Sequence, residues 1–98
     1  MLVKIHDSYR MVVAVCDSDL VGKKIEEREM QLDLTGNFFN GEEKSDDETG
    51  EILLDCAKED ATFFIVGKNS CDVAKKIGIV NKKGISEVAG IPFALCLL

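Results

Sequence analysis

Short apolar segments separated by turn residues predict strands in the first half of this 98-residue chain. Residues 2–6 alternate apolar and polar side chains, and Met11–Cys16 is continuously apolar and rich in valine. With polar residues between them, the two segments predict a β-hairpin whose second strand is central and covered on both faces. Residues 30–34 alternate again and predict a third, half-buried strand.

The first predicted helix begins at a capping box. Ser45 and Glu48 stand three residues apart, as a capping box requires. The segment after them carries one apolar stripe, made of Ile52, Leu53, Cys56 and Ala57. The acidic run at residues 42–51 is then explained by the cap and by the solvated face of the helix.

A second helix follows the buried strand predicted at Thr62–Val66. The turn between them contains Asn69 and Ser70, either of which suits the N-cap position. The helix is expected to end at Gly78. It is predicted to bury Val73, Ala74 and Ile77 and to turn Lys75 and Lys76 towards solvent.

The last part of the chain is predicted to be mainly extended. A basic turn at 81–84 precedes residues 85–98, and Pro92, which has no amide N–H, is expected at a strand start, an edge or a bulge. The strand, helix and strand of the second half indicate a βαβ-like unit. The predicted fold class is α/β in the mixed α+β sense. It is one small globular sandwich over residues 1–98, an N-terminal hairpin and third strand followed by a helix-strand-helix-strand unit.

The charge of the chain limits the classes of partner that it is expected to bind. The chain has 12 Lys and Arg against 18 Asp and Glu, a net charge of −6, which opposes nonspecific binding to nucleic acid and to anionic membranes. All of this excess lies in residues 1–50, whereas residues 68–87 hold five lysines against Asp72 and Glu87. We therefore expect neither a DNA partner nor a membrane, and the basic segment is the place to look for an anionic partner.

The cysteines indicate the compartment. Cys16, Cys56, Cys71 and Cys96 lie far apart, without the short spacing of a metal site, so no metal and no cofactor is expected. The chain is polar by its fourth residue and has no apolar run long enough to span a bilayer. We expect a cytoplasmic protein with reduced, buried thiols.

The strongest candidate site is the turn formed by Gly67, Lys68, Asn69 and Ser70. A helix that begins directly after a buried strand presents free N–H groups and a positive dipole end to an anion, and Lys68 adds a charge. A nucleotide-binding P-loop is not supported, because it requires glycine where Thr62 stands. The basic surface extends over Lys75, Lys76, Lys82 and Lys83, although solvated lysines on an outward face are the simpler explanation.

A small enzyme or a metal-dependent protein built on His6, Cys16 and Asp17 is the alternative from another class. His6 can transfer protons near neutral pH, but it and its neighbour Asp7 point to opposite faces of a strand. Cys16 lies between an apolar strand and Asp17, and both surroundings raise the pKa of a thiol. No catalytic residue is assigned, and a nonenzymatic role is favoured.

Short segments along nearly the whole chain also indicate a family. They are Val-Lys-Ile-His at 3–6, Val-Val-Ala-Val-Cys-Asp at 12–17, Leu-Val-Gly-Lys at 20–23, Phe-Phe-Asn-Gly at 38–41, Val-Gly-Lys at 66–68, the helix end at 74–80 and Gly-Ile-Pro at 90–92. In this succession the chain resembles the archaeal domain-of-unknown-function family 424, a set of small uncharacterised archaeal proteins. The resemblance implies an archaeal cytosolic origin and a compact α/β domain, and it implies no reaction, cofactor or partner.

Two segments depart from that family's pattern. Members often have Asn-Leu-Val-Gly where this chain has Phe-Ile-Val-Gly at 64–67, and often have His, Ala and Gln where Phe93, Ala94 and Leu95 stand. Because this chain lacks the polar His and Gln that family members often have here, a catalytic role for the C-terminal segment is not favoured. With Leu97 and Leu98 also apolar, this end is expected to join the core or to form an edge that pairs with a second copy in a homodimer.

The basic helix start favours a noncatalytic binding module, and the resemblance to the archaeal family implies a place in archaeal information processing, for which translation is the example we choose. Its anionic partner would be RNA or a ribonucleoprotein, held at the Lys-rich helix start. The small enzyme and a homodimeric structural adaptor are the alternatives.

Overall fold

The fold is built on a six-stranded sheet accompanied by a small two-stranded sheet. The computed structural model describes residues 1–7 and 9–96, and within them it has two α-helices and eight strands. In chain order the elements are β1 (Leu2–Asp7), β2 (Met11–Cys16), β3 (Lys24–Glu27), β4 (Met30–Asp33), β5 (Glu42–Glu43), α1 (Asp46–Ala57), β6 (Thr62–Val66), α2 (Lys68–Lys76), a 3-10 helix (Lys82–Gly84), β7 (Ser86–Val88) and β8 (Ile91–Cys96). This confirms the mixed α+β class.

The N-terminal hairpin forms as predicted. β1 pairs antiparallel with β2 from Leu2 opposite Cys16 to Asp7 opposite Met11, with Ser8 of the turn outside the described residues. β2 also pairs in parallel with β6, so it lies inside the sheet order β5-β1-β2-β6-β8-β7. Its residues Val13 to Cys16 are fully buried, which fits a valine-rich strand covered on both faces.

The parallel crossover lies earlier in the chain than the sequence indicated. β2 and β6 are the parallel pair, and α1 lies between them in the chain. β6 and β8 are antiparallel, from Phe63 opposite Cys96 to Val66 opposite Phe93. The expectation of a βαβ-like unit in the second half is therefore wrong, because the 3-10 helix and the β7–β8 hairpin reverse the chain before the last strand returns.

The strand predicted at residues 30–34 exists as β4, but it belongs to the two-stranded sheet with β3 and not to the main sheet. β3 was missed because three of its four residues are charged and only Ile25 is apolar. Leu32 and Leu34 are buried on the core side, whereas Met30 at the start of the strand is half exposed.

Apolar residues form a cluster on each side of the main sheet. One cluster includes Val13, Phe63 and Ile65 of the sheet together with Leu53 of α1 and Ala74 of α2. The second cluster lies on the opposite face of the sheet. There, sheet residues pack against Leu32, Leu34 and Phe39. The alternation of side chains along each strand accounts for this division.

Local signals at the helix and strand ends behave as expected. Ser45 and Glu48 form the predicted capping box at the start of α1, with Glu48 N to Ser45 Oγ at 3.1 Å and Ser45 N to Glu48 Oε1 at 3.0 Å. Pro92 is the second residue of β8, near the strand start. The predicted apolar end of the chain at Leu97 and Leu98 lies outside the described residues.

Candidate anion-binding cleft

The junction between sheet and α2 is organised by Asp17, the residue that follows β2. Because β2 and β6 are parallel, their carboxyl ends meet at one edge of the sheet, and Asp17 N donates to Val66 O at 3.0 Å. The buried carboxylate of Asp17 accepts three hydrogen bonds from the start of α2. The donors are Asn69 N at 3.0 Å, Ser70 N at 2.8 Å and Ser70 Oγ at 2.7 Å.

This arrangement corrects the predicted N-cap. The N-cap residue is Gly67, with no side-chain capping bond of its own, and a carboxylate from the other half of the chain performs the capping that was assigned to Asn69 or Ser70. A negative charge at this position is favoured by the positive end of the helix dipole. Two of the N–H groups expected to bind an external anion therefore already donate to the protein's own carboxylate.

Three of the predicted lysines converge on a cleft of about 400 Å³. Lys68 and Lys75 come from α2, and Lys82 comes from the 3-10 helix. The two α2 residues are seven positions apart, which is close to two helical turns and places them on one face. The cleft is also lined by Cys71, Asp72, Ile85, Glu87, Gly90 and Pro92.

Local contacts involve the turn that carries Lys82 and the side chain of Lys75. Asn81 accepts a hydrogen bond from Gly84 N at 3.1 Å and so fixes the turn that carries Lys82. Lys75 pairs with Asp72 at 3.4 Å, one helical turn away. Glu87 lies opposite Pro92 across the β7–β8 hairpin and brings a second carboxylate to the cleft wall. Three lysines and two acidic residues therefore line the cleft.

The other residues of the predicted site lie elsewhere. Lys76 and Asn69 line a separate groove between α1 and α2. Gly67 and Ser70 are buried at the Asp17 junction. Lys83 is exposed and is not among the residues that line the lysine cleft. The predicted anion site thus divides into an internally capped helix start and a cleft formed by Lys68, Lys75 and Lys82.

The alternative group His6, Cys16 and Asp17 is not brought together. His6 pairs with Val12 and Cys16 pairs with Leu2, at opposite ends of the β1–β2 hairpin. His6 Nε2 lies 2.9 Å from Phe38 O. The His6 ring also stacks on the Phe38 ring, with 4.5 Å between the ring centroids. Burial first, and then the charges of Asp17 and Asp19, raise the pKa of Cys16 to about 12. A thiol in this state is a poor nucleophile near neutral pH.

The predicted dimer edge is largely occupied within the chain. Phe93 pairs with Val66 of β6 on one side and with Ser86 of β7 on the other. Beyond Phe93, residues 94–96 pair with β6 alone, and Leu95 is exposed. Pairing of this segment with a second copy stays a prediction.

The capping role of Asp17 was the feature that sequence reasoning missed. Its contact with Ser70 spans 53 positions and depends on the parallel pairing of β2 with β6. In the sequence Asp17 appeared only in the alternative group with His6 and Cys16, and no residue near it indicates a contact with α2. Across the described ranges, His, Cys, Asp and Glu form no group of three or more that could hold a metal ion. In the same part of the chain, no helix is long and apolar enough to cross a membrane.

Comparisons with known proteins find a matching family model and a similar solved structure. A family model described as a protein of unknown function (DUF424) matches residues 6–97. A crystal structure of an uncharacterised conserved protein from Methanopyrus kandleri is similar in fold, with a TM-score of 0.86 and 23% sequence identity. The match covers 96% of this chain and 87% of that one. No curated protein matches.

Proposed function

The chain belongs to the family of proteins of unknown function DUF424, and we propose that it is a noncatalytic binding module that holds RNA in the lysine cleft formed by Lys68, Lys75 and Lys82. The observation that carries this proposal is the convergence of these three lysines, from two separate elements, on one cleft. Phosphate groups are the anions that such a cleft would bind.

The charges at the cleft support a weak, salt-sensitive contact. Lys75 already pairs with Asp72, and among the ion pairs of the described residues none involves Lys68 or Lys82. The net charge of −6 repels a polyanion at long range, so binding has to rely on the local lysines. Three phosphate contacts to a single strand give a slope of about −2 in log K against log salt.

The same proposal includes a cytoplasmic location and a role in archaeal information processing. All four cysteines are free, and burial raises the pKa of each thiol. Free thiols are typical of a reducing compartment. The structural relative comes from an archaeon, and we therefore choose an archaeal lysate as the source of natural RNA partners.

The test measures binding of a fluorescein-labelled 16-nucleotide single-stranded RNA by anisotropy at several salt concentrations. The variant carries Lys68→Glu, Lys75→Glu and Lys82→Glu. A matched control carries Lys23→Glu, Lys24→Glu and Lys58→Glu, which make the same change in net charge on exposed lysines outside the cleft. A second control carries Lys76→Glu and Lys83→Glu, the predicted lysines that do not line the cleft.

We expect the cleft variant to lose RNA binding, together with the dependence of affinity on salt concentration. The matched control should keep most of its affinity for RNA. Equal losses of RNA affinity in the cleft variant and the matched control would show that RNA responds to the net charge of the protein and not to the cleft, and would contradict the proposal. Absence of RNA binding by the natural chain in low salt overturns the proposal. A pull-down from archaeal lysate at low salt, with and without ribonuclease, then tests the same contact in a natural mixture: retained partners should disappear with ribonuclease.

A further inference from the structure

A second groove lies on the face of α2 next to the lysine cleft, between α2 and α1, with a volume of about 430 Å³. Four carboxylates line it, contributed by Asp46, Asp47 and Glu51 of α1 and by Asp72 of α2. Lys76 is the basic residue among the lining groups. The groove is therefore acidic, in contrast to the lysine cleft on the adjacent face of the same helix, and Asp72 lines both.

The groove also has an apolar wall. Leu54 is 44% exposed there, although Leu53 beside it is fully buried. Val73 and Ile77 of α2 line the same groove. They approach α1 closely at Gly50, where an added Cβ would lie 3.6 Å from Ile77 Cγ2 and 4.0 Å from Val73 Cγ1. Leu54, Val73 and Ile77 thus form one apolar wall of a groove whose other lining residues are mostly acidic.

The acidic and apolar groups fit one class of occupant. A bare metal ion would gain nothing from Leu54 and Ile77, and RNA would be repelled by four carboxylates. A segment with apolar side chains along one face and lysine or arginine beside them matches both features. We propose that the α1–α2 groove binds a basic amphipathic helix of a partner protein, with its apolar side chains against Leu54 and Ile77 and its cations towards Asp46, Asp47 and Glu51.

The probes are two labelled 16-residue peptides of identical amino-acid composition, both containing leucine and lysine. One places leucine at alternating three- and four-residue spacing to give an apolar face, and the other has the same composition in an order that removes that face. Anisotropy titrations of the whole protein compare them. We expect the amphipathic peptide to bind at least tenfold more tightly than the rearranged one.

Matched substitutions locate the binding. Glu51→Lys changes the groove, and Glu59→Lys makes the same charge change at an exposed residue that does not line it. Leu54→Ser removes the exposed leucine, and Ile5→Ser removes an equally exposed side chain, at 46%, on β1. We expect Glu51→Lys and Leu54→Ser each to weaken the amphipathic peptide about fivefold, with little change from either control. Thermal unfolding checks that all four variants fold.

Several results would overturn this inference. Equal affinity for both peptides would show attraction by net charge only, as would equal effects of Glu51→Lys and Glu59→Lys. Self-association of the natural chain in sedimentation equilibrium, lost on Leu54→Ser, would assign the groove to a second copy. The lysine-cleft variant should still bind the amphipathic peptide, so the RNA proposal and this one fail or succeed separately.

Discussion

The carboxylate of Asp17 lies directly over the Cα of Gly67, with Oδ2 only 2.5 Å from the point that a Cβ on residue 67 would occupy. Gly67 also has a φ of +110°, in a region that side chains rarely adopt. The absence of a side chain at Gly67 is what allows Asp17 to reach the N–H groups of Asn69 and Ser70. The capping of α2 by Asp17 therefore depends on glycine at position 67.

Gly67→Ala should destabilise the protein by about 2–4 kcal/mol, because it combines an unfavourable φ with overlap of the Asp17 carboxylate. Urea unfolding measures the free energy. Gly78→Ala is the matched control: Gly78 also has positive φ, at +84°, but no atom lies within 4 Å of its added Cβ. We expect a cost of about 1–2 kcal/mol there. Equal costs at the two glycines would contradict the overlap with Asp17.

Gly50→Ala should stabilise the protein by about 0.5–1 kcal/mol, since Gly50 lies inside α1 with an ordinary helical conformation. The added methyl group would meet Ile77 and Val73 at van der Waals distance, without a clash. Thermal and urea unfolding of the variant test this. A destabilisation would show that α1 and α2 cannot accommodate even one methyl group at their closest approach.

Ala89→Asn should stabilise the β7–β8 hairpin. Val88 pairs with Ile91, so the turn has two residues, and both Ala89 and Gly90 have positive φ, at 50° and 79°. Asparagine tolerates this conformation better than alanine and is preferred before glycine in such turns. We expect a gain of about 0.5–1 kcal/mol in urea unfolding. Ala89 N donates to Glu27 Oε1 at 3.1 Å, and Ala89→Asn keeps this contact because the donor is a backbone N–H. Unchanged or lower stability of the variant would contradict the prediction.

The buried thiols should be unreactive in the folded protein. The pKa of Cys16 is raised to about 12 and that of Cys71 to about 11, in both cases chiefly by burial. A raised pKa favours the neutral thiol, so at pH 8 about one Cys16 in ten thousand is the reactive thiolate. A thiol-disulfide reagent should therefore react slowly with native protein and rapidly in denaturant. A fast reaction of one thiol that disappears in Cys16→Ser would contradict this and make Cys16 a candidate functional group.

Much of the local structure was predictable because it depends on neighbouring residues. The alternation in β1, the valine run in β2 and the capping box at Ser45 each act within a few positions, and all three appear in the structure. The candidate lysines were also found from their local excess over acids. That Lys68 and Lys75 share a face follows from the helical period, while Lys76 is turned by about 100° towards the other groove.

The remaining features depend on contacts between distant segments. β3 is almost entirely charged and is stabilised as a strand by pairing with β4, so its own composition gives no signal. Which strands run parallel, and which side chains meet at a cleft, is decided by how the sheet assembles.

The amino-acid sequence by itself thus determined most of the elements, their buried faces and the charge of the candidate surface, because propensity, periodicity and capping are local. Only the tertiary structure decided that Asp17 caps α2 from 53 positions away and that three of the five lysines share one cleft. The physical reason is that these contacts form when β2 and β6 align in parallel, a pairing that no single segment specifies.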